Sequence, residues 1–303
     1  MTNSSDTTTE TTLNATRWQT WREEGLPENL ATRLRATGVY SEAAIGTVTS
    51  LAGELETLLE HHAPLRAIDY FLAEPTLWAE RLDRWASLQV LERLSQLSGP
   101  GLRRPRWEAP SRTLRRRTFS EVESGLVRHS ALGSVVRCAS VGALDAGLAS
   151  GELHRFRESA VLWDETRTVC AVMAPGTERE SSFGYPVAAP RRLEVPTWAR
   201  ASLTRLADGA PSDSLLLYGG RSSHPGKIQS SILMVVRKAL ITAGLGNDPT
   251  VTPLSIRNTA GRRVYDEHGL EAAAAFLGHQ DLMSVAREIG VREHRPGRIR
   301  ARG

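Results

Sequence analysis

Lysine is almost missing from this chain: of 38 basic residues only Lys227 and Lys238 are lysines, which leaves 36 arginines. Cysteine is as scarce. Cys138 and Cys170 are the only two in 303 residues, too few for a disulfide framework or a zinc site. No apolar run approaches the roughly 20 residues that a membrane-spanning helix requires. The opening stretch "MTNSSDTTTETTLNAT" has neither a basic nor an apolar signal-peptide region. Its Ser and Thr content reads as a disordered leader over residues 1–16. Together these absences exclude a disulfide-stapled secreted domain, a zinc module and a helical membrane protein, and the expected place is the cytoplasm.

What is present is charge, unevenly spread. Residues 1–100 hold 8 basic and 14 acidic residues, a balance of −6, whereas residues 101–303 hold 30 and 20, a balance of +10. A GC-rich genome would by itself favour arginine over lysine. Whatever its origin, the planar guanidinium fork matches phosphates and guanine edges. Two runs concentrate it. "LRRPRWEAPSRTLRRR" contains Arg103, Arg104, Arg106, Arg112, Arg115, Arg116 and Arg117 with one glutamate, and "VREHRPGRIRARG" ends the chain with five arginines and one glutamate. Such runs are commonly solvated linkers or tails. One lying between domains and one at the end suggests contact with nucleic acid.

Composition, charge runs and hydrophobic periodicity divide the chain into five parts: the leader 1–16, a helical domain 17–99, a basic linker 100–117, a larger domain 118–290 and a basic tail 291–303. In the first domain, Pro27 opens a helix that Gly38 ends, and Ser41 caps the next. A stripe of Leu77, Trp78, Leu82, Trp85, Leu88, Leu91 and Leu94 marks a core-facing helix. The larger domain opens with a capping box predicted at Thr118 and Glu121. After another helix come three short β-like runs and then a series of helices. The expected fold class is therefore mainly α with a small antiparallel β-sheet.

Four segments, in order, carry a resemblance to a known family. "AGLASGELHRFRESAVLWDE" resembles a Gly-Leu-Arg-x-x-Glu-Leu segment. "TAGL", at Thr242–Leu245, resembles a helix end. "VTPLSIRNTAGRRVYDEHG" resembles Thr-Pro-His-x-Leu-Arg-His-Thr and its helix. "FLGHQDL" resembles Leu-Gly-His, and Arg257 stands 22 residues before His279. On these residues the chain resembles the tyrosine recombinase (phage integrase) family over roughly residues 118–290. The resemblance implies a two-domain clamp around duplex DNA, made of a helical core-binding-like domain and a catalytic-like domain. In that family a tyrosine attacks a DNA phosphate and forms a covalent link. Two arginines brace the non-bridging oxygens, while histidines and a hairpin lysine move protons. No cofactor is needed.

Carried over position by position, most of that machinery is absent. Ala149 stands where the resemblance implies the first arginine, Leu254 where it implies a histidine, and Glu288 or Ile289 where it implies the nucleophile. Residues 159–195 contain no lysine. Arg257 and His279 remain. Tyr265, the nearest tyrosine, falls on a different predicted helix and reads as a core or helix-face aromatic. Arg155 or Arg157 could approach the place of the missing arginine, though both read more simply as surface charges. The resemblance thus implies a catalytically inactive member, expected to grip double-stranded DNA as a monomer or dimer associated with the nucleoid. A transcriptional regulator or repressor of a phage or mobile element fits that description. The alternatives are a recombinase using an unorthodox nucleophile, or an accessory or inhibitory partner of a related integrase. The expected DNA contacts are the seven linker arginines with Arg257, Arg262, Arg263 and His279. Plainer roles are a helix-internal salt bridge for Arg257, a packed turn for His279 and a solvated helix face for Arg262 and Arg263.

Overall fold

The computed structural model describes residues 26–73, 78–94, 117–177 and 188–291. They form helices α1 (Leu26–Thr37), α2 (Glu42–His61), α3 (Pro64–Ala73), α4 (Trp78–Leu94), α5 (Glu121–Ala131) and α6 (Val135–Asp145). Strands β1 (Val161–Trp163), β2 (Val169–Ala174) and β3 (Arg191–Glu194) follow, then α7 (Thr197–Ala207), α8 (Pro225–Thr242), α9 (Pro253–Leu277) and α10 (Leu282–Glu288). The sheet is antiparallel in the order β1-β2-β3, with Val161 opposite Val172 and Ala171 opposite Glu194. Mainly α with a small antiparallel sheet is what the periodicity predicted. No helix among the described residues is long and apolar enough to cross a membrane.

The chain separates into two units. One gathers residues 1–112, 119–130 and 241–245, and the other 113–118, 131–240 and 246–303. In the first unit Ser41 caps α2, its Oγ accepting from Ala44 N at 3.2 Å, and Gly38 leaves α1 with φ +68°. Leu82, Trp85, Leu88 and Leu91 are buried as expected, but so are Ser87, Gln89 and Val90. Residues 85–91 are buried without a break, so the middle of this helix is covered on every side, whereas Ala79 and Glu80 near its start are exposed. Leu77, like the side chain of Trp78, lies outside the described residues.

Helix α5 belongs to this first unit although it follows the charged run that predicted a boundary at 118. Close packing accounts for this. A Cβ at Gly125 would come within 2.1 Å of the Tyr40 ring, so only glycine admits that contact. Ser41 Oγ donates to Glu121 Oε2 at 2.8 Å, and Arg128 Nη1 donates to the carbonyl of Val39 at 3.3 Å. The capping box lies two residues beyond the predicted Thr118–Glu121 pair. Ser120 Oγ accepts from Glu123 N and Glu123 Oε2 accepts from Ser120 N, each at 3.2 Å. Glu121 is drawn instead to Ser41.

In the second unit α9 carries a break that the sequence placed correctly between two helical runs. Gly269 has φ +85° and ψ −179°, outside helical geometry. The helix ends at Gly278 in the left-handed conformation, with φ +72°. Asp281 then caps α10 by accepting from Met283 N and Ser284 N, both at 3.1 Å. Val285 and Ile289 bury themselves against Ala273, Ala274 and Leu277, which docks this short helix beside α9.

Candidate functional site

The α9–α10 junction and the turn after α6 assemble a compact ionic cluster. Arg257 lies one turn inside α9, its side chain only 3% exposed. Its Nη1 donates to Glu288, its Nε to the Gly147 carbonyl at 3.1 Å and its Nη2 to the Leu277 carbonyl at 2.6 Å. Burial lowers its pKa from the ordinary arginine value; Glu288 opposes that shift and nearby Arg191 adds to it. His279 is buried as well, with Nε2 2.8 Å from Glu288 Oε2. The approach is off the hydrogen-bonding direction, and neither ring nitrogen makes a hydrogen bond. One carboxylate therefore faces both residues that the resemblance retains.

A second arginine, which the motif comparison missed, completes the cluster. Arg191 opens β3 and uses all five of its donors. Nη1 reaches Glu152 Oε1 at 2.8 Å and the Ala189 carbonyl at 3.0 Å. Nη2 reaches Gly147 O at 2.8 Å and Glu152 Oε2 at 3.1 Å, and Nε reaches Phe276 O at 2.8 Å. Glu152 is fully buried and also accepts from Ala149 N at 2.6 Å and Gly176 N at 3.0 Å. This bidentate, fully hydrogen-bonded arrangement is the form in which a buried ion pair is tolerated. The signal for it was available: strand alternation sends Arg192 and Glu194 outward and leaves Arg191 on the face of Leu193.

Two glycines make room for the cluster. A Cβ on Gly147, at φ +103°, would meet the Phe276 ring at 2.8 Å. A Cβ on Gly278 would meet Arg191 Nη1 at 2.7 Å. The cluster thus holds two guanidinium groups and two carboxylates, a neutral set beside one histidine. Ala149 contributes only its amide to Glu152, and Leu254 sits at the start of α9, one turn before Arg257.

The other expected contacts are dispersed or engaged. Arg103, Arg104, Arg106, Arg112, Arg115 and Arg116 lie outside the described residues, as does the tail from residue 292. Arg117 is a correction: it is buried, its Nε 3.1 Å from Asp248 Oδ2, and so forms part of the interior instead of a solvent-facing run. Arg257 is corrected likewise, from an open phosphate contact to a buried ion pair. Its partner lies on α10 rather than on its own helix. Arg262 pairs with Asp266 one turn on, at 2.9 Å, and stacks on Tyr265, 5.4 Å from its ring centroid. Arg263 pairs with Asp145, which also accepts from Trp198 Nε1 at 3.1 Å. Tyr265 packs against the cluster of Ala273, Leu277 and Ile289, as a core aromatic would. Among the described residues no group of His, Cys, Asp and Glu could hold a metal ion.

No family model matches the chain, and no curated protein does. Among solved structures it is similar to a XerA recombinase, with TM-score 0.46 and 17% identity over 88% of this chain and 95% of that one. It is also similar to a lambda integrase dimer bound to a COC′ core site, with TM-score 0.40 and 14% identity over 92% and 80%. The Tn1549 transposon integrase in complex with transposon right-end DNA gives TM-score 0.41 and 12% identity over 87% and 94%. These likenesses span most of each chain but at low TM-score and identity, so what the chain can do is argued from its own residues.

Proposed function

We propose that this chain binds double-stranded DNA sequence-specifically and does not cut it, acting as a regulator, for instance a repressor of a phage or mobile element. The observation that carries the reading is Glu288. At the position where the motif resemblance implies a nucleophilic hydroxyl stands a carboxylate, ion-paired to Arg257 and facing His279. It offers no hydroxyl for transfer to phosphorus, and it already occupies the Arg257 guanidinium that would otherwise face a phosphate. The +10 balance of residues 101–303 supports the retained grip, since phosphate neutralisation supplies most non-specific affinity.

Selection of duplexes from a random or genomic library, followed by denaturing gels of those recovered, tests both halves. The expected result is one recovered motif, with the DNA intact and free of protein. A covalent adduct or strand exchange would refute the inactive reading, and failure to enrich any duplex at moderate salt would refute the DNA-binding one.

A further inference from the structure

Away from the ionic cluster, the second unit contains a pocket of about 560 Å³ lined by Arg155, Arg157, Arg221, His154, Ser222 and Ser223 among others, none of them acidic. That volume falls in the usual range of ligand clefts, roughly 300–1,000 Å³, and exceeds what one small ion fills. Both walls are built rather than incidental. On one side Leu216 N donates to Phe156 O at 3.1 Å and Glu158 N to Ser214 O at 3.1 Å. A β-bridge joins Arg157 to Leu215. On the other side, the missing Cβ of Gly220 lets the Tyr218 ring lie against the loop, where a methyl would come within 2.4 Å of it. Tyr218 Oη accepts from Ser222 N at 3.1 Å, and Ser222 Oγ accepts from His224 N at 3.2 Å. The loop so fixed leads into the 18-residue helix α8, whose N-terminal dipole end adds positive potential.

Arg221 is exposed and makes no ion pair or side-chain hydrogen bond among the described residues. Arg157 is exposed and gives one N–H to the Asp213 carbonyl. The Arg157 and Arg221 guanidinium groups, in an open cleft without a carboxylate in its lining, call for an external anion, and their forked donors match phosphate oxygens. We infer that this pocket is a phosphate site occupied by the backbone of duplex DNA. The inference rests on the DNA-binding reading for its ligand, but not for the site itself.

The test measures duplex affinity across a salt series for the wild type, Arg221→Ala and Arg157→Ala/Arg221→Ala. Thermal melts run in parallel, with inorganic phosphate compared against chloride at equal ionic strength. Each arginine lost from a phosphate should reduce the slope of log K against log salt by roughly 0.9. The preferred sequence should stay the same, because backbone contacts position the protein without reading bases. Unchanged slopes in both variants, with the fold intact, would overturn the inference. If the wild type bound no duplex, the proposed function would fail by itself and the melts would decide the site. Stabilisation by phosphate that the double variant lacks would retain a phosphate site serving a free ligand. Its absence would overturn the site too.

Discussion

Replacing Glu288 by alanine should destabilise the second unit by about 3 kcal/mol. The side chain of Arg257 is 3% exposed and that of Glu288 is 19%. Removing one partner of a buried pair typically costs about 3–5 kcal/mol, because the other charge is left uncompensated. The two carbonyls that hold Nε and Nη2 remain, and Glu288 lies nearer solvent than its partner, so the lower end of that range applies. For a domain of this size each kcal/mol lowers Tm by roughly 2–4 °C, hence a fall of roughly 6–12 °C. Glu288→Gln keeps an acceptor oxygen but no charge and should lose about half as much as Glu288→Ala by the same reasoning. The double variant Arg257→Met/Glu288→Ala removes both charges and should recover part of the loss, since apolar replacement of a buried pair is often neutral or better. Calorimetric melts at pH 7 and moderate salt measure all three. A Tm for Glu288→Ala within about 2 °C of wild type would refute the argument, showing that Arg257 is already compensated by groups other than Glu288.

Two glycines at similar φ separate backbone strain from steric collision. Gly38→Ala meets open space at φ +68° and should cost only the left-handed backbone energy, roughly 1–2 kcal/mol. Gly278→Ala at φ +72° must also push Arg191 away from Glu152, so a melt showing it no worse than Gly38→Ala would contradict the cluster geometry. In the first unit, Tyr40 Oη lies 3.0 Å from His129 Nδ1. Burial, and then nearby Arg93, lower the His129 pKa below the ordinary 6.5. The unfolded chain then binds more protons than the folded one just below that value. The contribution is therefore present above about pH 6.5 and fades as pH falls through the depressed folded pKa. Melts of His129→Gln should accordingly show a shallower loss of Tm between pH 7 and 5 than the wild type; parallel profiles would refute this. Glu152→Gln removes the charge that four hydrogen bonds surround and should lower Tm by at least as much as Glu288→Gln, since Glu152 is fully buried.

The helical first half, the three short strands and the break at Gly269 were legible because each rests on local pattern and turn chemistry. Position 149 being alanine and position 288 glutamate could also be read directly, as could the distance from Arg257 to His279. Less legible were the capping box of α5 and its allegiance. Two overlapping S/T-x-x-E patterns compete there, and only Ser41, 80 residues earlier, claims Glu121. Arg117 looked like one arginine of a charged run; Asp248, 131 residues away, draws it into the interior.

By itself the sequence determined the secondary elements, the charge imbalance and the absence of a tyrosine after Leu-Gly-His, since composition and short-range periodicity carry all three. Only the tertiary structure decided that Glu288 faces Arg257 and His279, and that Arg191 is wholly taken up by Glu152 and three carbonyls. Those pairings join residues 31 and 39 positions apart. Whether an arginine is open to a ligand or closed by a carboxylate depends on which residues the fold brings within 3 Å, and no local pattern records that.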